Sequence, residues 1–346
     1  MATDAELYER WRRGEKPAPI AASYEPPFTT KSVHGRIRRE RKRREQTAQP
    51  LNVVTLVQRP KSQDSERWAD TVNDLTRRGH AKVAHKCDYH APYTDESAAA
   101  LDYQTTEYMK PDVVVVGSDF ADFPTISAYA PDPDLGNDDI LDTLRPYWYA
   151  HIDALRRAAP KAVFVWIEGN HETRLWRFLD ETAPQVRNTM REAFIDLIRY
   201  HGNVLYLGRV SEVQIGALTV LHGDGSCLGD LAARKVLAAR RYQGWFMFGH
   251  NHKWTQYLSV GHNHMVGAAG SGHMGEPIPH YQKVNRFNYW TQGTCYADVD
   301  MKSDYVWFDN LVFTKRDNLL VTKIGQRMLA QEIDTATAAN SASAAA

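Results

Sequence analysis

The chain has 346 residues, a mean hydropathy of −0.52, and 42 Lys+Arg balanced by 42 Asp+Glu. No apolar run approaches the roughly 18 residues of a membrane span, the opening MATDAELYERW lacks the apolar stretch of a secretory signal, and three widely spaced cysteines (Cys87, Cys227, Cys295) point to a reducing, cytoplasmic compartment. Membrane, collagen-like and disulfide-scaffold classes are therefore excluded, and the length suits one main domain of roughly 200–280 residues plus a small one.

The zero net charge conceals an asymmetry. Residues 1–50 hold 12 basic and 7 acidic residues, so the remainder holds 30 and 35. Between Lys31 and Glu45 there are eight Lys/Arg and two Glu. Such a head suits contact with a polyanion. Its pattern predicts three short helices. The first spans residues 6–13 with Leu7 and Trp11 at i and i+4, and Gly14 stops it. The second starts near Pro17 or Pro19 and carries Ile20. The third is capped by Thr29 or Thr30 and carries Val33 and Ile37. Leu7, Trp11, Ile20, Val33 and Ile37 would share a core, exposing Lys31, His34, Arg38 and Arg41. This head resembles a helix-turn-helix unit, whose last helix enters the major groove. A solvated basic helix or packing arm is the other reading.

Residues 46–50 read as a linker and 51–57 as a strand. A helix over 64–78, a strand over 82–87 and a helix over 94–109 follow. The β-branched run at 113–116 suits a strand buried on both faces. A helix over 139–157 and a buried strand over 162–167 come next, then a helix from about Glu172. Strands are predicted at 204–207, 218–221 and 245–248, with a helix over 231–241 capped by Asp230. From 254 to 324 the pattern is short strands. Residues 1–45 form the head, 51–330 the main domain, and 331–346, rich in Ala, Ser and Thr, a disordered tail. Strand and helix alternation followed by a strand-rich part suggests an α/β sandwich.

Five polar clusters each follow a predicted strand. They are Asp88-Tyr89-His90, Asp119-Phe120-Ala121-Asp122, Gly169-Asn170-His171-Glu172, His222-Gly223-Asp224 and Gly249-His250-Asn251-His252. In extended backbone, i and i+2 point to one side, so Asp88 and His90, and again His250 and His252, can grip one ion together. Ligands in open α/β sheets bind at the carboxyl ends of strands, so these clusters should converge. Two Asp, four His and one Asn form a mixed nitrogen and oxygen set suited to Mn, Fe, Zn or Ni. Gly261-His262-Asn263-His264 repeats the fifth motif, but it follows no buried run. Its glycine-rich surroundings read as a turn or hairpin at the rim of the site. The strand at 51–57 carries no Asp or His and reads as an extra element.

These motifs resemble those of the calcineurin-like metallophosphoesterase superfamily: D-x-H, G-D-x-x-D, G-N-H-(D/E), a His, and G-H-x-H. The resemblance covers roughly residues 80–325. Ser118 stands where that family has Gly. It implies an α/β/β/α sandwich and a two-metal hydrolase of phosphoesters. Asp88, His90 and His252 would hold one metal, Asn170, His222 and His250 the other, and Asp119 would bridge them. His171 would be the acid or charge stabiliser beside the phosphate. Arg174 would clamp a phosphate oxygen or form a surface ion pair, and Asp122 would orient a ligand from behind. Two such ions, Mn first among them, would yield a bridging hydroxide for in-line attack on phosphorus.

A basic head joined to such a domain looks like proteins of phages and mobile elements. The leading expectation is a phosphodiesterase or nuclease acting on DNA. A phosphomonoesterase or small-molecule or cyclic-nucleotide diesterase with a docking head is the second, and a non-catalytic DNA-binding regulator the third. Trp245, Trp254, Tyr289, Trp290 and Tyr296 would either stack bases or fill the core.

Overall fold

The computed structural model describes residues 63–126, 140–201, 203–223, 227–261, 265–275 and 290–333, with individual positions among the first 39. The chain divides into two units, Met1–Pro60 and Lys61–Ala346.

In the first unit, Glu6, Leu7, Arg10, Ala22, Val33, Arg36, Ile37 and Arg39 are helical. Thr3 and Glu6 bond reciprocally: the Glu6 N–H donates to Thr3 Oγ1 (3.2 Å) and the Thr3 N–H to Glu6 Oε2 (2.6 Å). This capping box satisfies two N–H groups of the first turn. Leu7, Val33 and Ile37 are buried, as the helical spacing predicts. Trp11, Ile20, the nucleic-acid candidates Lys31, His34, Arg38 and Arg41, the linker and the strand at 51–57 lie outside the described residues.

The second unit opens with helix α1 (Gln63–Arg78), acidic in its first turn and basic in its last, as the helix dipole favours. Strand β1 (His80–Lys86) and helix α2 (Glu96–Met109) follow. Asp95 caps α2 by accepting the N–H groups of Ser97 and Ala98. Then come β2 (Val113–Gly117), α3 (Ile140–Ala158), β3 (Val163–Ile167), α4 (Asn170–Thr182), α5 (Arg187–Tyr200) and β4 (Leu205–Tyr206). With β10 (Gly293–Asp300) and β11 (Val306–Val312), these strands form a six-stranded sheet ordered β11-β10-β1-β2-β3-β4. Strands β1 to β4 are parallel, whereas β10 pairs antiparallel with β1.

A five-stranded sheet contains β5 (Glu212–Ile215), β6 (Leu218–Leu221), β7 (Trp245–Phe248), β8 (Trp254–Val260) and β9 (Met265–Ser271), ordered β5-β6-β7-β9-β8. Helix α6 (Ala232–Ala239) links β6 to β7. A small antiparallel sheet of β12 (Thr314–Arg316), β13 (Leu319–Ile324) and β14 (Arg327–Glu332) ends the described chain.

Alternation of side chains explains the layering. Val114, Val116, Phe164 and Trp166 pack with residues of α2 to α5, such as Leu101, Trp148, Leu175 and Phe194. Their neighbours Val113, Val115, Val165 and Ile167 pack with Val213, Leu218, Val220, Trp245 and Met247 of the second sheet. On the outer face of that sheet, Phe246 and Phe248 pack against Val236 and Leu237 of α6. Each fully buried side chain of this size contributes roughly 1.5–3 kcal/mol, so β2 and β3 stabilise two apolar layers at once.

Several details differ from expectation. Asp230 does not cap α6: the helix starts after Leu231 without a side-chain cap, and Asp230 accepts from Lys253 Nζ at 2.8 Å. Helix α4 begins at Asn170, two residues earlier than predicted. Helix α5 and strand β5 were not predicted. Pro184 separates α5 from α4, and the short β5 is legible only through its pairing with β6. The glycine-rich stretch is one arm of the β8–β9 hairpin, yet β9 is a buried inner strand. A Cβ at Gly267 would lie 2.7 Å from the Trp245 ring, so only glycine lets the strand approach. His262, Asn263 and His264 lie outside the described residues. Strand β14 runs to Glu332, two residues into the predicted tail.

Candidate metal centre

The five clusters sit where β1, β2, β3, β6 and β7 end, and the structure brings them together. The reason differs from the predicted one. Asp88 and His90 are not extended: their φ values are 56° and 54°, and those of His250 and His252 are 65° and 53°. Left-handed turns, rather than pleat alternation, aim these pairs into one space. Backbone bonds pin them. The N–H groups of Asp88, His90 and Ala91 donate to the carbonyls of Ser118, Asp119 and Phe120. The loop after β1 thereby zips onto the loop after β2.

Three groups of potential ligand atoms result, the third, His90, Asp122 and His171, sharing His90 with the first. In the first, His252 Nε2 lies 3.1 Å from Asp88 Oδ1 and 3.0 Å from His90 Nε2. In the second, His222 Nε2 lies 2.8 Å from Asn170 Oδ1, 3.2 Å from His250 Nδ1 and 3.3 Å from Asp119 Oδ2. Asp88, His90 and His252 form one set of potential metal ligands and Asp119, His222 and His250 another. Ring nitrogens facing one another at 3.0–3.2 Å gain little as hydrogen bonds. Several inward lone pairs around a common point are what a divalent cation neutralises. The donor set thus fits divalent cations.

Asp122 supports the first group from behind. Its Oδ1 accepts from His90 Nδ1 at 3.0 Å and from His171 Nδ1 at 2.9 Å, which turns the Nε2 atoms of both rings inward. The His171 N–H donates to Asp119 Oδ1 at 2.8 Å, and His171 Nε2 lies 3.7 Å from Asp119 Oδ2. Arg174 makes no surface ion pair among the described residues. Its Nη1 donates to the Asp122 carbonyl at 3.0 Å, and Nη2 lies 3.4 Å from His171 Nε2.

No family model matches the chain, and no curated protein matches it. Among solved structures, one match is Vps29 of Chaetomium thermophilum complexed with the RaPID-derived cyclic peptide RT-D3. It is 11% identical, and the alignment covers 74% of this chain and 98% of that one, with a TM-score of 0.35. A superposition that loose decides nothing about activity, and the side chains carry the functional reading.

The electrostatics follow from the packing. Burial works against a charged Asp119, but His222 and His171 beside it hold its carboxyl well below the usual range. Burial would lower His222, yet Asp119 and then Asp88 raise it to about 9. Burial likewise opposes charge on His171, and Asp119 and Asp122 together still raise it. Glu172 moves up to about 7 through burial and the nearby Asp119.

Sequence reasoning assigned no role to Glu172. Its carboxylate accepts the N–H groups of Gly169 (2.7 Å) and Asp119 (3.0 Å), tying the start of α4 to Asp119. The signal was present, since a Glu three residues after a helix cap reaches back to it. His273 was missed too, with no signal: its buried ring stacks on His252 at 5.4 Å, and Trp290 meets His252 edge-on at 4.4 Å. Of the other aromatics, Trp245 and Tyr296 are core residues, Trp254 is exposed, and Tyr289 lies outside the described residues.

Proposed function

We propose that this protein is a two-metal phosphoester hydrolase with the α/β/β/α sandwich of the calcineurin-like metallophosphoesterases. The observation that carries the reading is the convergence of seven ligating side chains from five strand ends into two groups that share the neighbourhood of Asp119. Asp88, His90 and His252 would hold one divalent cation, Asn170, His222 and His250 the other, and Asp119 both. Manganese is the first metal to test, then iron, zinc and nickel. Such cations, when bound, supply a low-pKa water and neutralise charge developing on a phosphoryl group.

The chain's own groups do the rest. His171 holds its proton against burial because Asp119 and Asp122 face it. Asp122 fixes its Nδ1, so Nε2 is the atom that donates to a leaving oxygen. Arg174, seated on the Asp122 carbonyl beside that Nε2, adds fixed positive charge where a phosphate would lie. We take the substrate to be a phosphodiester, DNA first, because the basic residues concentrate in the head. The bond broken would then be one of a polyanion that the head binds through its phosphates.

The test is a hydrolysis panel of DNA, RNA, cyclic nucleotides and aryl phosphates with added Mn²⁺, run against Asp119→Asn. Removing the shared carboxylate is expected to lower activity by at least about 10³-fold and to weaken metal uptake at both positions. Unchanged turnover in Asp119→Asn would overturn the hydrolase reading. Intact DNA alongside hydrolysed aryl esters would overturn only the DNA reading. If DNA is the substrate, changing Lys31, Arg38 and Arg41 together to Glu should weaken DNA binding and flatten its salt dependence.

A further inference from the structure

We infer that Ser118 is a positioning residue for His222: its hydroxyl fixes the imidazole with Nδ1 protonated and Nε2 open toward the second cation position. The inference rests on the two-metal reading above. Ser118 is fully buried and lies between Gly117 and Asp119, in the loop that leaves β2. All three residues have left-handed backbones, with φ of 97°, 55° and 64°. For a residue with a Cβ that conformation costs about 1 kcal/mol, which glycine avoids. A serine here needs a reason, and its hydroxyl provides one.

Ser118 Oγ lies 2.8 Å from His222 Nδ1. The opposite ring nitrogen, Nε2, faces Asn170 Oδ1, Asp119 Oδ2 and His250 Nδ1 at 2.8–3.3 Å. With a cation at Nε2 the ring is neutral and carries one N–H. If Nδ1 donates it to Ser118, the Nε2 lone pair points at the ligand group, as a metal-binding histidine requires. The hydroxyl is held still, because the Ser118 N–H donates to the Ile167 carbonyl (2.8 Å) and its own carbonyl accepts the Asp88 N–H (2.9 Å). Ser118 is thus anchored to β3 and to the first ligand loop. It does for His222 what Asp122 does for His90, without adding a negative charge. By contrast, His252 Nδ1 is buried without a hydrogen-bond partner, so tautomer control is built into some of these ligands and not all.

Ser118→Ala and Ser118→Gly in the full chain separate the hydroxyl from the backbone. Alanine keeps the left-handed cost, and glycine relieves it. Zinc uptake is measured by titration calorimetry, and ring N–H signals by ¹⁵N NMR of the zinc-loaded protein. Both variants are expected to bind one of two zinc ions about 10–100-fold more weakly. Both should also lose an exchange-protected Nδ1–H signal assigned to His222, while Ser118→Gly melts no lower than the parent. Parental zinc affinity in Ser118→Gly would overturn the inference and leave the metal centre standing, and it decides even if Ser118→Ala fails to fold. A parent protein that takes up none of manganese, iron, zinc and nickel would overturn both readings.

Discussion

One carboxylate, that of Asp122, orients two rings with different tasks. Removing its charge should therefore have two effects. In Asp122→Asn, a metal at the proposed site of Asp88, His90 and His252 is expected to bind about 10–100-fold more weakly, because the Nδ1 side of His90 loses its anionic partner. His171 loses one of the two carboxylates that raise it against burial. His171→Gln separates the roles: it should leave metal stoichiometry intact and lower kcat by about 10²–10⁴-fold. Atomic absorption on the purified variants, with kcat on an aryl phosphodiester, checks both. Metal loss in His171→Gln would make it a ligand instead of an acid. At this scale the sequence was informative about position, since Asp88, His90, Asp119, Asn170, His222, His250 and His252 come together at the strand ends. The partner of His222 was not readable, because a serine 104 residues away carries no spacing signal.

Between elements, the turns that leave the strands have no spare room. A Cβ on Gly169 would stand 2.1 Å from Asp119 Oδ1 and 2.4 Å from its backbone nitrogen. Gly169→Ala must push α4 away from Asp119. We expect a loss of roughly 1–3 kcal/mol by denaturant unfolding, together with weakened zinc uptake, and unchanged values for both would show that the loop yields freely. Beneath the same site, β1 is tied to α2 and β10 by a fully buried cation. Lys86 Nζ donates to Asp102 Oδ1 (2.6 Å), Tyr296 Oη (2.8 Å) and Thr294 Oγ1 (3.1 Å), and Tyr89 Oη donates to Asp102 Oδ2 (2.7 Å). Lys86→Met leaves Asp102 buried without its cation partner, so a loss of about 3–5 kcal/mol is expected in chemical denaturation. The continuous apolar run of β2 made that strand plain, and the 3.6-residue period did the same for α3. Strand β5 escaped because four residues of alternating burial have no signature apart from the partner strand.

For the molecule as a whole, two buried histidines set part of the acid limit. Burial lowers His85 to about 3 and His151 to about 4. His151 sits among Tyr89, Tyr103 and Phe120. Both are neutral in the fold, whereas the unfolded chain takes up their protons below about pH 6.5. Their stabilising contribution is complete above that pH and declines as pH falls toward 4 and 3. For His151 the full change is at most roughly 3 kcal/mol. In the metal-free protein His222 has the opposite sign: raised to about 9 by Asp119 and Asp88 against burial, it contributes fully below pH 6.5 and less as pH climbs toward 9. Urea unfolding of metal-free protein between pH 7 and 4 should show a shallower decline for His151→Phe than for the parent. An equal slope would mean that His151 is hydrated in the fold. No helix among the described residues is long and apolar enough to cross a membrane.

The local order of the chain determined much by itself. Runs of Val, Ile and Trp with polar clusters at their ends specify buried strands and place chemistry beyond them, because burial on both faces and exposure at the tip are properties of a few adjacent residues. Tertiary structure alone decided the rest. It curled the tips through left-handed turns so that Asp88 and His90 share a target. It made a glycine-rich stretch an inner strand because Trp245 lies across it, and it placed Ser118, Glu172 and His273 against ligands far away in the chain. Those outcomes depend on contacts between segments tens to hundreds of residues apart, which no local pattern encodes.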